Sequence, residues 1–314
     1  MIRVENLVKH YGDVKAVRSI NFEVNDGEIL GFLGANGAGK TTTLRIITGY
    51  LSPTAGNVYV NDLNIAEHSL EIRKQIGYLA ELNPLYLDMR VFDLLEFTAQ
   101  IREIEGKDFR NALTRVIEQC GLSGILHRTV AECSKGYRQR IGLATAIMHD
   151  PQILIMDEPV SGLDPNQIVE IRELIKELGK EKLVIISSHI LQEIKATVDR
   201  IAIIHEGKII ADGTSQELMA SFRGMTQLTL EVKGTTAASL KSLPDAAPEV
   251  NITSTVTEDD QTIINLEYGK EADPREAIFK HAVKSKWTLL EMSTSKAQLE
   301  DIFRMLTVKG GGDA

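Results

Sequence analysis

Cysteine is scarce in this chain. Cys120 and Cys133 are the only two among 314 residues, and no CxxC pair occurs, which argues against a disulfide framework or a structural zinc site and points to a reducing cytosol. Long apolar runs are missing too. The best candidates, ILIM at 153–156 and LVIISS at 183–188, are short and interrupted, far below the ~18 residues that a membrane span needs. The opening MIRVENLVKHYG lacks the apolar stretch of a signal peptide. If the protein works at a membrane, another chain must span it. Nor is there an excess of basic charge: a net charge of −9 and a pI near 5.4 argue against a general nucleic-acid binder, because a phosphate backbone asks for a basic surface. Internal repeats and low-complexity blocks are absent. What remains is ordinary for a globular protein, 43% hydrophobic and 25% charged, in a chain long enough for two domains.

Up to about residue 220, short apolar runs alternate with amphipathic helical stretches, the pattern of an α/β domain with a largely parallel sheet. Four runs read as buried strands: EILGFLG (28–34), ILIMDE (153–158), LVIISS (183–188) and RIAIIHEG (200–207), the last turning at Gly207 into a hairpin with KIIADG. Between residues 91 and 150 the spacing predicts a helical insert, carried by VFDLLEFTAQIREI, FRNALTRVIEQCG and a helix after Ser134. After SFRGMT the character changes. Residues 226–306 predict a strand TQLTLEV, a short helix around AASLKSL, strands NITSTVT and TIINLEY, a helix REAIFKHAV, a strand WTLLEMS and a helix QLEDIFRML. That order is a small α+β unit, βαββαβ and ferredoxin-like in outline, with one further helix. The expected division is 1–222 for the first domain, 223–308 for the accessory domain and 309–314 for a disordered tail.

The strand EILGFLG leads directly into GANGAGKTT, which fits G-x-x-x-x-G-K-[ST] from Gly34 to Thr41, and then into the helix TTLRIITGYL. Strand, glycine-rich loop and helix together are the context a phosphate loop requires. Gly34, Ala35, Asn36, Gly37, Ala38 and Gly39 would turn their backbone N–H groups onto phosphate oxygens, and the helix that follows would aim its positive end at the same place. Lys40 would supply charge to the β- and γ-phosphates, Thr41 a hydroxyl for Mg2+, and Thr42 the next amide. A second strand must bring carboxylates to the metal. ILIMDE ends on Asp157 and Glu158 where a buried strand meets solvent, so Asp157 would hold Mg2+ and Glu158 would polarise the attacking water.

CSKGYRQR at 133–140 holds no acid, no near-neutral base and no metal-ligand spacing. On its own it reads as a helix start capped by Ser134, with Lys135, Arg138 and Arg140 on a solvated face. With the other motifs in place, residues 1 to about 220 resemble the ATP-binding subunit of an ABC transporter, a P-loop NTPase with a RecA-like core and antiparallel β and helical subdomains. The resemblance makes CSKGYRQR the counterpart of the signature LSGGQQQR, so that Ser134 and Gly136 would address the γ-phosphate held by a second copy of the chain. It further implies that Tyr11 stacks on adenine, that SGLD (161–164) is the D-loop, that His189 contacts the γ-phosphate, and that Glu81 in GYLAELNP occupies the place of the usual Q-loop glutamine, within reach of Mg2+. Cys133, Lys135 and Tyr137 depart from the commoner Leu, Gly and Gln.

The same resemblance implies ATP and Mg2+ as cofactors, a homodimer, and an ABC-2 type permease as the membrane partner, with the ATPase peripheral on the cytoplasmic face of the bacterial inner membrane. Among ABC-2 ATPases the chain is most similar to the one associated with gliding motility. The segment from Glu81 to Asp88 and the helical insert would receive the permease, although LNPLYLDM reads equally as a lid over the core. A soluble ABC ATPase acting on nucleic acid or ribosomes is the rival. It is disfavoured by the single phosphate loop and the lack of a heptad array, and no nucleic-acid partner is expected. His10, His68, His127, His149, His205 and His281 show no ligand spacing and read as surface or packing residues.

Overall fold

A computed structural model describes residues 1–221, 225–258, 260–269 and 272–296. The chain divides into two compact units, the first Met1–Ser215 and the second Gln216–Met305. In the first unit the strands are β1 (Ile2–Tyr11), β2 (Val14–Val24), β3 (Ile29–Leu33), β4 (Ala55–Val60), β5 (Leu63–Asn64), β6 (Ile76–Leu79), β7 (Ile153–Asp157), β8 (Leu183–Ser188), β9 (Arg200–His205) and β10 (Lys208–Gly213). Its helices are α1 (Lys40–Ile47), α2 (Ser69–Gln75), α3 (Val91–Ile101), α4 (Gly106–Cys120), α5 (Lys135–Ile147), α6 (Pro165–Gly179) and α7 (Leu191–Ile194). α8 (Ser215–Ser221) spans the boundary in sequence.

Six strands form one sheet in the order β10-β9-β3-β8-β7-β6, parallel except for the β9–β10 hairpin. β3, β7 and β8 are buried along their whole length, as strands covered on both faces must be, which is why they read as unbroken apolar runs. Leu30, Phe32, Ile153, Ile155 and Ile185 join the core from this sheet; each such side chain contributes about 1.5–3 kcal/mol by leaving water. A second, antiparallel sheet has the order β2-β1-β4-β5. Its two long strands are interrupted by register shifts between Val4 and Leu7, Leu7 and Val8, and Lys9 and His10. α3, α4 and α5 form the expected helical insert. Both cysteines are free and buried, and burial pushes the Cys120 thiol up to about 12, so it stays protonated and inert.

The second unit is built from β11 (Met225–Lys233), α9 (Ala237–Lys241), α10 (Leu243–Ala246), β12 (Val250–Glu258), β13 (Gln261–Gly269), α11 (Arg275–Lys284) and β14 (Thr288–Lys296). Its four strands are antiparallel in the order β12-β13-β11-β14, the ferredoxin-like arrangement read from the sequence. Leu228, Leu230, Val232, Ile264, Leu266, Ile278 and Trp287 make its core. His281 is buried there, edge-on to the Trp287 ring at 5.2 Å. The helix expected over QLEDIFRML and the tail after it lie outside the described residues. No helix among the described residues is long and apolar enough to cross a membrane.

Candidate functional site

β3 ends in the middle of its sheet, and the chain leaves it through Gly34–Gly39 before α1 begins. Gly39 is the N-cap of α1, with φ at 110° and no side chain capping the helix. A Cβ there would also lie 2.5 Å from the Ala16 carbonyl oxygen, so glycine is required on two counts. The first-turn N–H groups of α1 are thereby left to a ligand. The loop itself is anchored from three sides. The Gly34 N–H donates to the Ser188 carbonyl at the end of β8 (3.2 Å), and the Gly207 N–H in the β9–β10 turn donates to the Ala38 carbonyl (2.9 Å). The Gly207 carbonyl in turn accepts from the Arg18 N–H of β2 (2.7 Å), tying the loop to the antiparallel sheet.

An open cavity of about 240 Å³ lies against this loop, lined by Ala16, Asn36, Gly37, Gly39, Lys40, Thr41, Thr42, Glu81 and Glu158. Lys40 is buried, and its ammonium donates to the carbonyls of Gly34 (2.7 Å) and Ala35 (3.3 Å) while standing 3.2 Å from Glu158 Oε1. Glu158 is also buried. Its other oxygen pairs with His189 Nδ1 at 2.8 Å, so one carboxylate links the loop lysine to the histidine after β8. Its backbone has φ at +50°, a left-handed conformation that costs a non-glycine residue about 1–2 kcal/mol.

Ser187 holds that conformation in place. Its hydroxyl oxygen accepts from the Glu158 N–H (3.0 Å), and its hydrogen goes to Asp157 Oδ1 (2.5 Å). The parallel register of β7 and β8 sets Asp157 directly against Ser187. Asp157 is 1% exposed, yet its Oδ2 finds no hydrogen-bond partner among the described residues, and Glu158 Oε1 meets Lys40 as an ion without an aligned hydrogen bond. Burial pushes the neighbouring Tyr78 phenol up to about 12, with the Asp157 carboxylate adding to the effect. Buried acceptors without donors are rare and costly; here they fit a cation. Asp157 Oδ2 and the Thr41 hydroxyl have the donor chemistry of a magnesium site, with Glu81 at the same cavity as a further oxygen.

Of the residues expected at the site, Asn36, Gly37, Gly39, Lys40, Thr41, Thr42, Glu81 and Glu158 line the one cavity, and Asp157 and His189 join it through Ser187 and Glu158. Gly34, Ala35 and Ala38 complete the loop. Tyr11 closes β1 as an exposed ring with the Lys9 ammonium 5.3 Å from its centroid, outside the cavity lining. Ser134 and Gly136 are likewise absent from that lining. Ser134 caps α5, its hydroxyl accepting from the Tyr137 N–H at 3.3 Å, and it is exposed with Lys135 and Tyr137. A capping box between Thr129 and Glu132 fixes the turn just before it. Arg138 and Arg140 serve as props: Arg138 donates to the Cys133 carbonyl, and Arg140 donates to the Cys120 carbonyl and pairs with Glu170.

Sequence reasoning missed Ser187 and Ala16. Ser187 had a signal, a polar residue entering a run of buried aliphatics one strand away from two acids. Ala16 had none.

The family described as ABC transporter matches residues 17–161. The bacitracin transport ATP-binding protein BcrA of Bacillus licheniformis is 42% identical over 214 residues, 68% of this chain and 69% of that protein. The protein of the same name from Enterococcus faecalis is 32% identical over 316 residues, spanning 100% of this chain and 98% of its own length. Among solved structures, one described as the ATP binding subunit of an ABC transporter superposes with a TM-score of 0.65 at 28% identity, over 71% of this chain and 93% of that one.

Proposed function

The chain belongs to the ATP-binding proteins of ABC transporters, and from that membership we propose that it is the energy-converting subunit of an ABC-2 type transporter, driving export through a separate permease. It is an ATPase, and subunits of this family act as dimers beside membrane permeases. The observation that carries the mechanism is the chain of contacts Lys40–Glu158–His189 at the mouth of the phosphate loop.

In this reading the loop amides and Lys40 bind the β- and γ-phosphates, and Asp157 with Thr41 holds Mg2+, which when bound neutralises charge on the phosphate oxygens. Glu158, fixed at its backbone by Ser187 and at one oxygen by His189, orients the attacking water and accepts its proton. His189 is then positioned to donate to the γ-phosphate. Tyr11 stacks on the adenine. Ser134 and Gly136 complete the site on the partner copy, where the exposed start of α5 presents a hydroxyl and free N–H groups to the γ-phosphate. Glu81 brings a charge where the family more commonly carries an amide, and its carboxylate can still reach Mg2+ or its water through an oxygen.

The permease would dock along Glu81–Asp88 and the helical insert. Leu82 is 90% exposed, and Tyr86, Leu87 and Phe92 are exposed as well, with Tyr86 braced edge-on against Phe97 at 5.6 Å. A lid over the core would bury these side chains, whereas a docking strip shows them.

The narrower proposal is export in support of gliding motility. The similarity to two bacitracin transport proteins makes bacitracin export its competitor. Purifying the protein from native membranes tests the reading: a polytopic permease should co-purify and stimulate ATP hydrolysis. Ribosomes or RNA in its place would favour the soluble rival. Deleting the gene then separates the narrower readings by loss of surface movement or by gain of bacitracin sensitivity.

A further inference from the structure

Gly136 is buried, two residues into a helix where its neighbours Ser134, Lys135 and Tyr137 are exposed. What buries it is the side chain of Gln167. A Cβ on Gly136 would lie 2.5 Å from Gln167 Cδ, 2.7 Å from its Oε1 and 2.8 Å from its Nε2, so the carboxamide rests flat on the glycine. Gln167 is half-buried, and its backbone is fixed. It stands in the first turn of α6, and its N–H donates at 3.0 Å to Asp164 Oδ1, the cap of that helix and the last residue of SGLD. The same two segments meet on either side of this contact. The Lys135 ammonium lies against Gly162, where φ is +67° and no side chain intervenes, and Arg140 pairs with Glu170 one turn further along each helix. Three contacts in order, 135 with 162, 136 with 167 and 140 with 170, clasp the start of α5 to SGLD and the start of α6.

We propose that Gln167 is a positioning residue for the trans half of the nucleotide site: by seating on Gly136 it sets where Ser134 and the free N–H groups of α5 stand relative to SGLD. The inference rests on the reading of CSKGYRQR as that half-site. It assigns the need for glycine at position 136 to packing within the chain, where a direct approach of the partner's phosphate to a bare backbone would be the other explanation. Side chains in direct contact carry small displacements from one element to the next. A shift of α5 against SGLD would therefore misplace the hydroxyl without touching the phosphate loop.

The test compares Gln167→Ala, Gln167→Met, Gly136→Ala and the double variant Gly136→Ala/Gln167→Ala, each in a Glu158→Gln background that blocks turnover. MgATP-driven dimerisation is read by sedimentation, and MgATP affinity at protein concentrations too low for dimerisation is read by fluorescent-nucleotide displacement. Gln167→Ala should weaken dimerisation about tenfold, since two copies of the contact act in one two-fold assembly. Gln167→Met, which keeps the bulk without the amide, should weaken it less. Gly136→Ala alone should also weaken it, because the methyl group must push the carboxamide off its seat. In the double variant the added methyl group should cost nothing beyond the Gln167→Ala loss. Affinity for MgATP should stay unchanged in the two single Gln167 variants, a split that general destabilisation would not produce.

If Gly136→Ala were as damaging with Ala at 167 as with Gln, the phosphate and not Gln167 would demand the glycine, and the proposal would fall. Undiminished dimerisation of Gln167→Ala would overturn it as well. Ser134→Arg in the same background is the control for the underlying reading. If that variant dimerised normally, the trans half-site would be wrong, whichever way Gln167 behaves.

Discussion

The two units leave the polar side chains of their sheets in opposite states, half-buried to exposed and mutually bonded in one, buried and left with unbonded oxygens in the other. On the sheet of the C-terminal unit, Thr229 Oγ1 donates to Asn265 Oδ1 (2.9 Å), Asn265 Nδ2 donates to Ser254 Oγ (2.9 Å), and Thr253 Oγ1 donates to the Asn265 carbonyl (3.0 Å). That network is closed. At the end of the cassette sheet, Asp157 Oδ2 and Glu158 Oε1 are left without hydrogen bonds. A closed network rigidifies and recognises nothing further, whereas an open one carries a desolvation penalty that only a ligand relieves. The difference follows from how the sheets are covered. β3, β7 and β8 are buried on both faces and can show polar groups only where they run out, and they run out together. β13 alternates buried and exposed residues over its first half, so its polar side chains lie along an open face where neighbours can satisfy them.

Breaking the open network at its cation should have the largest effect. Lys40→Ala removes the ammonium that holds the loop carbonyls and faces Glu158; hydrolysis should fall by at least ~10²–10³ and nucleotide binding should weaken, as measured by phosphate release and equilibrium titration. Near-normal turnover would remove the phosphate-loop assignment.

Glu158→Gln should also stop turnover. It keeps Lys40, Thr41 and Asp157, so MgATP should still bind and hold a persistent dimer on size-exclusion chromatography. Adding Ser134→Arg should return that variant to monomer, because charge-assisted hydrogen bonds to phosphate are worth about 1.5–3 kcal/mol each and two sites form together.

A lesion in the closed unit sharpens the contrast. Leu230→Ala should cost that unit about 2–5 kcal/mol while basal ATP hydrolysis stays within about twofold, as expected for units with separate cores. Ending the chain near residue 222 should likewise leave hydrolysis intact. Loss of turnover in either protein, with the cassette still folded, would tie the second unit to the chemistry.

The smallest effect concerns His149. Burial is the largest cause that lowers its pKa from the usual 6.5 to about 4, with the Arg102 guanidinium adding to it. The unfolded chain therefore binds its proton first, so the stabilising contribution is complete above pH 6.5 and is lost as pH falls from there toward 4. Because the ring is partly exposed, the loss is discounted to about 1 kcal/mol, or roughly 2–4 °C in Tm. His149→Gln should flatten the Tm curve between pH 6.5 and 4, and an unchanged slope would count against the assignment.

Much of this was legible in the sequence, for physical reasons. Doubly covered strands are nearly unbroken apolar runs, and β3, β7, β8 and β9 were read from them. The phosphate loop was legible because glycine, lysine and threonine have no cheaper substitutes at those places. β1 and β2 went unread because three register shifts interrupt their alternation, and β6 because four residues make no pattern. Ser187 and Gln167 carry their meaning through partners 29–31 residues away, and spacing along one chain holds no trace of that.

Gly207 has a consequence for solvent isotope exchange. Turn amides ordinarily exchange fast, because local fraying exposes them. This one is bonded to Ala38 of the phosphate loop while its carbonyl is held by β2, so it has no local route to solvent. Its protection factor should match that of the central strands, and so should the rigidity of the loop it grips: the glycine-rich segment takes its stiffness from two sheets at once.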